Sequence, residues 1–137
     1  MKCIFCSIVK KEIPTNFVYE NDQVLAFKDI RPSAPVHILV VPKEHIQSIA
    51  HLSPVRGREG SQRASASNGV EGNHREILSA LIYVAKELAE KQGLKGYKLV
   101  FNVGREGGQV IDHLHLHLLG GWRSGEGNHL PHPGLDK

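Results

Sequence analysis

Residues 112–121 read DHLHLHLLGG, and this alternation of histidine and leucine constrains the fold more than any other stretch of the chain. In a β-strand, side chains at every second position share one face of the sheet. Residues 112–119 are therefore predicted to form a strand whose leucines pack into a hydrophobic core. The three histidines, His113, His115 and His117, are predicted to line the other face and to look into a cleft or into solvent.

The remaining apolar patterns predict four further strands and one long helix. Strands on both sides of a helix in the sequence, with short glycine-rich or polar turns between neighbouring strands, indicate an α+β domain with a mainly antiparallel five-stranded sheet. The predicted elements are a β-hairpin over 17–30, a strand over 36–42, a short helical turn around 46–52, a helix over 74–92, and a strand over 97–104 that leads through a glycine-rich loop into 112–119.

The length of 137 residues predicts a single domain over 1–137 with one insertion. Residues 53–73 read SPVRGREGSQRASASNGVEGN and contain almost no large apolar side chain. Such a segment cannot bury enough surface to offset the entropy lost on ordering. It is predicted to be a flexible insertion between elements of one domain.

Charge and hydropathy narrow the functional classes. The 17 basic and 14 acidic residues give a net charge of +3, and the basic residues are scattered rather than clustered, so nucleic acid is not an expected partner. No apolar run approaches the ~20 residues that a membrane span needs, so no membrane partner is expected. The start of the chain does not have the pattern of a secretory signal, and a cytoplasmic location is predicted.

The three alternating histidines favour chemistry over structure, because serine, threonine, lysine or glutamate would serve equally well on a half-exposed strand. Two chemistries remain open from the residues alone. Histidines in H-x-H spacing on a strand can present two imidazoles to zinc. Imidazole is also a good nucleophile and proton carrier near neutral pH. Separately, Cys3 and Cys6 stand in C-x-x-C spacing, for which metal binding and plain packing are both possible.

The segment from His113 to Leu119 matches H-φ-H-φ-H-φ-φ, where φ is apolar, and it resembles the signature of the histidine triad family. The stretches IFCSIVKKEIPTNFVYENDQVLAFKDIRPSAPVHILVVPKEHI and GYKLVFNVGREGGQ are similar to the Hint branch of that family, the purine nucleoside phosphoramidases. The resemblance covers nearly the whole chain apart from 53–73 and the last residues. It implies the histidine triad fold, with a short N-terminal helix in addition to the elements above.

The same resemblance implies a two-step hydrolysis of the P–N bond in purine nucleoside 5'-phosphoramidates. His115 would attack the α-phosphorus and form a nucleotidyl-histidine, which water then cleaves to release the nucleoside monophosphate. His117 would bind the phosphate and assist proton transfer, and His37 would orient the site or relay protons. Dinucleoside polyphosphate hydrolysis, nucleotidyl transfer, a zinc hydrolase that uses the three histidines as ligands, and a nucleotide-binding adaptor with little turnover remain alternatives.

The resemblance also implies a nucleotide site. An apolar slot would hold the base, Asp29 would bind the ribose hydroxyls, Asn102 would contact the ribose or phosphate, and the glycine-rich loop at Gly107 and Gly108 would bring backbone amides to the phosphate. Val110 stands where many Hint sequences have serine, and Asp112 where an aromatic residue is common, so the leaving-group preference is open. The predicted nucleotide-binding residues are Ile4, Phe5, Ile8, Phe27, Asp29, Ile30, Asn102, Gly108, Gln109, Val110, His115 and His117.

Two further features follow from the resemblance. Bacterial members with the C-x-x-C element resemble zinc-binding forms, which implies a closed structural zinc site formed by Cys3, Cys6, His45 and His113, with no metal needed for the chemistry. The family also implies a homodimer. In the helix over 74–92, Ile82 and Ala89 widen the apolar stripe, which fits either a dimer interface or a broad core face.

Overall fold

A five-stranded antiparallel sheet carries part of the histidine-rich segment on one of its inner strands. The structure is a computed structural model that describes residues 3–53 and 70–126, with residues 70–73 described as backbone only. The helices are α1 (Ile4–Val9) and α2 (Val70–Lys91), and the strands are β1 (Phe17–Glu20), β2 (Val24–Lys28), β3 (Val36–Pro42), β4 (Tyr97–Val100) and β5 (Leu116–Gly120). The sheet has the order β1-β2-β3-β5-β4, and the structure confirms the predicted α+β class.

The two central strands β2 and β3 are apolar on both faces, as expected for strands covered on each side. Val24, Ala26, Ile38 and Val40 belong to a cluster that α2 completes. Their alternating neighbours face the opposite side of the sheet, where a smaller cluster forms with α1; these residues are Leu25, Phe27, Leu39, Val41, Phe5 and Ile8. The sheet therefore has a thick side under a 22-residue helix and a thin side under a six-residue helix.

The long helix α2 packs its apolar stripe on the thick side of the sheet. Leu81, Ala85 and Ala89 are fully buried, and each buried leucine or valine stabilises the fold by about 1.5–3 kcal/mol. Ile82 and Tyr83 project outward and are 43% and 67% exposed. The stripe is thus a core face with two large apolar side chains left outside it. None of the described helices is both long and apolar enough to cross a membrane.

Two predicted boundaries outside the histidine-rich strand differ from the structure. The long helix begins at Val70, four residues before the predicted start. The prediction missed residues 70–73 because they lack the apolar periodicity that indicates a helix. Residues 54–69 of the predicted insertion lie outside the described residues. The helical turn predicted over 46–52 is a 3₁₀ turn over Ile49–His51, capped by the Ser48 hydroxyl.

The strand predicted over 112–119 begins only at Leu116. The ladder between β3 and β5 ends at the pair Val40 and Leu116. Pro42, two residues further along β3, has no amide hydrogen and so cannot donate a hydrogen bond that would extend the ladder. The Leu114 amide instead donates to the Ile46 carbonyl at 2.6 Å. Residues 113–115 are therefore held beside the sheet by contacts outside the strand ladder.

Candidate active site and metal cluster

The histidines lie on the thin side of the sheet and are buried. The alternation predicted that the leucines face the core, and this is confirmed, since Leu114, Leu116 and Leu118 pack into the cluster under α2. The prediction that the histidines look into a cleft or solvent is wrong for this structure, because His113, His115 and His117 are 0%, 7% and 2% exposed. Helix α1 covers this side of the sheet, and no local sequence pattern could have shown that.

Phe5 on α1 is the side chain that covers two of the histidines. Its ring lies edge-on to His113 with 5.8 Å between ring centroids, and edge-on to His115 at 5.1 Å. Phe5 also contacts Phe27 of β2 at 5.5 Å. An aromatic ring in this position forms an apolar wall beside the His115 imidazole.

The His115 ring has one defined orientation. Its Nδ1 lies 2.6 Å from the backbone carbonyl oxygen of His113. A carbonyl oxygen can only accept, so Nδ1 carries the proton and donates it. In the neutral ring, Nε2 then holds the lone pair, which is the nitrogen that can act as a nucleophile.

His37 on β3 and His117 on β5 form a second defined pair. The Ser33 amide donates to His37 Nδ1 at 2.9 Å, so the proton of a neutral His37 ring is on Nε2. That Nε2 lies 2.9 Å from His117 Nδ1 and 3.5 Å from the Asp29 carboxylate. The chain of contacts assigns His117 the tautomer with Nδ1 accepting and Nε2 protonated.

The protonated Nε2 of His117 points away from this network. His117 is partnered through Nδ1, but the described part of the chain supplies no hydrogen bond to its buried Nε2. A buried N–H donor of this kind costs free energy unless an acceptor is provided. The ring is well suited to donate to an anionic oxygen of a ligand, and its neighbour His115 is 4.9 Å away between centroids.

The second cluster brings together Cys3, Cys6, His45 and His113. One possible ligand atom from each residue lies within 4.8 Å of all the others. The Sγ to Nδ1 distances are 3.4 Å for Cys3 and His113, 3.2 Å for Cys6 and His45, and 3.7 Å for Cys6 and His113. Tetrahedral zinc with usual bond lengths places sulfur and nitrogen ligands about 3.6 Å apart, so the four side chains fit such an ion.

The electrostatics of His113 also suit a metal ligand. The pKa of His113 is lowered from its usual value near 6.5 to about 4, chiefly by burial and in smaller part by His45 and His115, while the bond to Pro42 opposes the change. The Nε2 of the neutral ring donates to the Pro42 carbonyl at 2.9 Å, which leaves the Nδ1 lone pair facing the cysteines. A backbone acceptor behind a ligating histidine is the usual way to fix its tautomer.

Whether the Cys6 thiol ionises depends on the charges beside it. Burial, followed by the side chain of Cys3, raises the pKa of Cys6, while Lys10 opposes the change. Two thiols side by side resist ionisation unless a positive charge compensates them. A dication would reverse that preference, because thiolates are the metal-binding form.

The zinc-hydrolase alternative, in which the three triad histidines act as ligands, does not fit this geometry. Among residues 3–53 and 70–126, no group that could hold a metal contains two of the three triad histidines. Asp29, His37 and His117 form a further group within 4.8 Å, but the 2.9 Å between its two imidazoles is a hydrogen-bond distance. Hydrogen bonding accounts for that second group.

The residues predicted to hold the base fall into two sets. Phe5, Ile8 and Phe27 pack together in the small cluster on the thin side of the sheet. Ile4 and Ile30 are 48% and 90% exposed and are available to a ligand. Asp29 lies beside His37, and its Oδ1 accepts the Arg31 amide at 2.8 Å, so this carboxylate already supports the loop that leads into β3.

The glycine-rich loop is arranged differently from the prediction. The amides of Gly107 and Gly108 were predicted to approach a phosphate, but they donate to the carbonyls of Gly104 and Arg105 within a 3₁₀ turn. The buried Gln109 side chain is likewise engaged within the protein: its Nε2 donates to the carbonyls of Gln47 and Ile111, and its Oε1 accepts the Gly104 amide. Asn102 is half-buried, and Val110 is exposed.

Sequence reasoning missed an ion pair that closes this loop. Arg105 donates to both carboxylate oxygens of Asp112 at 2.8 and 2.9 Å, and to the Gln109 carbonyl at 2.8 Å. The pair lowers the pKa of Asp112 and raises the pKa of Arg105. The charges are seven residues apart in an irregular loop, so no periodicity in the sequence indicates their contact. Asp112 therefore has a partner in the loop itself.

A groove of about 930 Å³ lies away from the histidines. It is at the other end of β5, beside Pro35, Lys95, Tyr97, Trp122 and Arg123. None of the predicted catalytic, nucleotide-binding or metal-binding residues lines it. The chemistry of the buried histidines, rather than the size of a groove, identifies the candidate active site.

Comparisons with known proteins identify the family of the chain. A family model described as "scavenger mRNA decapping enzyme C-term binding" matches residues 2–129. The chain is 39% identical over 134 residues to the purine nucleoside phosphoramidase of Escherichia coli (strain K12), covering 96% of each protein. It is 46% identical over 119 residues to the 14 kDa zinc-binding protein of Zea mays, covering 86% of this chain and 80% of the relative.

The solved structures show the same similarity. A HIT family hydrolase from Legionella pneumophila Philadelphia 1 superposes with a TM-score of 0.72 at 41% sequence identity, covering 89% of this chain and 95% of that one. A histidine triad protein from Clostridium difficile gives a TM-score of 0.73 at 38% identity, covering 90% and 93%. Both matches extend over nearly the whole fold.

Proposed function

Because this chain belongs to the histidine triad family of hydrolases, we propose that it cleaves the P–N bond of purine nucleoside 5'-phosphoramidates and releases the nucleoside monophosphate. The observation that carries the proposal is the bond from His115 Nδ1 to the His113 carbonyl, which makes Nε2 the nucleophilic nitrogen. The similarity to a purine nucleoside phosphoramidase supports the choice of substrate.

In the first step, His115 Nε2 attacks the α-phosphorus. The bond between Nε2 and phosphorus forms while the P–N bond to the amine breaks, and the departing nitrogen takes a proton, so that a neutral amine leaves. The proton that the departing nitrogen takes comes from solvent water. His117 Nε2–H keeps its proton and donates a hydrogen bond to a phosphate oxygen, and His37 supports that ring through the bond at 2.9 Å to His117 Nδ1. Asp29, 3.5 Å from His37, favours positive charge on this pair.

In the second step, water attacks the phosphorus and His115 Nε2 leaves. The proton lost by the water passes to solvent, which balances the proton that the amine took in the first step, and the nucleoside monophosphate departs. A covalent intermediate divides one difficult displacement into two easier ones. Ile4, Ile30 and the small apolar cluster would contact the base, Asp29 the ribose, and Asn102, Gly108, Gln109 and Val110 the phosphate side of the site.

We propose further that the four-residue cluster holds a structural zinc ion. Cys3, Cys6, His45 and His113 would supply two sulfur and two nitrogen ligands, which fill a tetrahedral site and leave no position for a reactive water. When bound, zinc contributes a cross-link between α1, the segment after β3 and the segment before β5. The relative described as a zinc-binding protein supports this assignment.

A homodimer is the proposed assembly. Strand β4 forms one edge of the sheet and exposes Tyr97 and Leu99, each 38% exposed, while Ile82 and Tyr83 of α2 are exposed as well. An edge strand with unpaired backbone groups is satisfied when a second copy continues the sheet. Pairing through β4 would bury these apolar side chains together.

Product analysis tests the proposed activity. The protein is incubated separately with adenosine 5'-phosphoramidate and with diadenosine polyphosphates, and both AMP and the mass of the intact protein are followed. We expect AMP from the phosphoramidate and, after rapid quenching, an adenylated protein that is absent in His115→Ala. Faster cleavage of the polyphosphates would assign the chain to another activity, and nucleotide binding without product would support an adaptor.

A further inference from the structure

His113 connects the metal cluster to the nucleophile through a single peptide. Its side-chain Nδ1 faces Cys3 and Cys6 at 3.4 and 3.7 Å, whereas its backbone carbonyl accepts the Nδ1–H of His115 at 2.6 Å. The same residue therefore contacts both sites with different groups. A displacement of His113 as a whole would move both the ring that faces the cysteines and the carbonyl that fixes the tautomer of His115.

The peptide between His113 and Leu114 is held on both sides. Its carbonyl accepts from His115, and its N–H, which belongs to Leu114, donates to the Ile46 carbonyl at 2.6 Å. Ile46 directly follows His45, which is also in the cluster. The two cluster histidines thus flank the hydrogen bond that sets the plane of this peptide.

The strand ladder does not provide this restraint. The pairing of β5 with β3 and β4 begins at Leu116 and His117, so residues 113–115 lie outside it. This segment is held instead by the bond to Ile46, the bond from His113 Nε2 to Pro42 and the contacts within the cluster, together with the packing of Leu114 in the core under α2. A peptide outside a ladder is free to rotate when such side contacts are lost.

Helix α1 forms a second connection. It carries Cys6, its N-cap is Cys3, and Phe5 between them packs edge-on against both His113 and His115. A helix of six residues is not stable by itself in water, so its position depends on tertiary anchors. The cysteines and the small apolar cluster are those anchors. If one of them is lost, the Phe5 ring that packs against His115 can shift.

We propose that His113 is a positioning residue through which occupancy of the metal cluster controls the orientation of the His115 ring. With a metal in the cluster, the peptide after His113 is fixed and His115 is held as the Nδ1–H tautomer. With the cluster empty, the peptide rotates, the Leu114 amide loses its partner, and His115 populates both tautomers. We call this metal-dependent fixing of the His115 ring in the Nδ1–H form the tautomer lock. The identity of His115 as the nucleophile rests on the proposed function, but the tautomer lock does not.

The test follows the full-length protein with zinc, after removal of zinc by a chelator, and after zinc is added back. Nitrogen-15 correlation spectra of the histidine rings report the His115 tautomer without substrate, and hydrogen exchange reports the Leu114 amide. We expect one tautomer with zinc and a mixture without it, with Leu114 exchange about tenfold faster in the metal-free protein. Re-addition of zinc restores both signals.

Variants separate the cluster from its surroundings. His45→Gln and Cys6→Ser each remove a cluster ligand that makes no hydrogen bond to His115 among the described contacts. Both are expected to reproduce the metal-free spectra. His51→Gln is the matched control, since His51 is an exposed histidine in the same region that lies outside the cluster. Its spectra are expected to equal those of the unmodified protein. Should chelation unfold the protein, His45→Gln prepared without zinc, and shown by metal analysis to contain none, decides the outcome.

Kinetics then relate the lock to catalysis. In single-turnover experiments with adenosine 5'-phosphoramidate, we expect the adenylation rate to fall about tenfold in the metal-free protein, while the nucleotide dissociation constant changes less than about threefold. Failure to bind zinc, or an unchanged His115 tautomer and Leu114 exchange in a folded metal-free protein, would overturn the inference. Loss of the lock in a protein that never cleaves the phosphoramidate would instead refute the proposed function alone.

Discussion

The reactivity of each buried histidine depends on which ring nitrogen its neighbours leave with a lone pair. The backbone makes this choice at His115, where a carbonyl takes the Nδ1 proton, and at His37, where an amide occupies Nδ1. At His117 the tautomer is set by another side chain, because His37 Nε2–H donates to His117 Nδ1. Three imidazoles of the same chemical type are thereby given different roles.

Substitution of His115 is expected to separate chemistry from binding. His115→Ala removes the nucleophile and should lower turnover of adenosine 5'-phosphoramidate by roughly a thousandfold or more. Nucleotide affinity, measured by calorimetry with AMP, should change little because the base and ribose contacts remain. His51→Gln is the control and should keep both values. An alanine variant that turns over at near the original rate would exclude His115 as the nucleophile.

The metal-free protein is expected to lose stability in acid because of His113. The pKa of His113 is about 4 in the folded state and near 6.5 in the unfolded chain, so the unfolded state binds more protons between these values. Stability is therefore highest above pH 6.5 and falls by about 3 kcal/mol as the pH drops to 4. Urea unfolding of the metal-free protein at several pH values measures this loss.

Comparison with His113→Gln isolates the contribution of this one residue. Carboxylates such as Asp112 also lose favourable interactions in acid, so the total fall has several sources. The glutamine variant keeps those carboxylates but cannot titrate at position 113, and its stability should fall less steeply. Parallel curves for the two proteins would show that His113 does not carry the effect.

At the scale of elements, the sequence predicted what periodicity controls and missed what tertiary contacts control. The alternation over 112–119, the apolar runs of β2 and β3 and the helical spacing in α2 predicted the sheet and the leucine face of its histidine-rich strand, and both are confirmed. The resemblance, not the spacing, named the cluster of Cys3, Cys6, His45 and His113, and the structure brings these four together.

The misses share a physical cause. The burial of the histidines depends on α1 lying across the sheet, and the late start of β5 depends on Pro42 in a neighbouring strand. The Arg105 and Asp112 pair depends on how an irregular loop folds back. Each is a contact between segments whose relative position the local pattern does not encode.

The turn that ends β5 makes a prediction at this scale. Gly121 has a φ of 93°, and a Cβ there would lie 2.8 Å from the Pro35 Cβ. Gly121→Ala therefore adds a steric overlap to the backbone strain, and we expect it to destabilise the fold by about 2–4 kcal/mol. Because Pro35 precedes His37 by two residues, activity should fall as well.

Gly125 provides the matched control for that substitution. Its φ is 90°, nearly the same as that of Gly121, but a Cβ there meets nothing within 4 Å. Gly125→Ala should thus cost only the backbone strain, about 1–2 kcal/mol. Chemical denaturation of the two variants gives the difference directly, and equal losses would show that the approach to Pro35 is not restrictive.

At the scale of the whole molecule, a single substitution can test the proposed dimer. Ile82→Glu places a charge at an exposed apolar position of α2 and should dissociate the dimer and weaken nucleotide affinity. Lys91→Glu, which also changes the charge of α2 at an exposed position, should leave the assembly intact. Sedimentation at micromolar concentration measures both, and a monomer for the unmodified protein would refute the proposed assembly.

The pairing of distant segments has a consequence for biosynthesis. The bond between His37 and His117 joins residues 80 positions apart, and Cys3 meets His113 across 110 positions. During synthesis at about 5–20 residues per second, the two cysteines leave the ribosome several seconds before the strand that completes their cluster. They remain ordinary thiols for that interval, able to react with oxidants or to capture metal incorrectly. Accessibility of these thiols to an alkylating reagent therefore reports whether a nascent chain has incorporated its last strand.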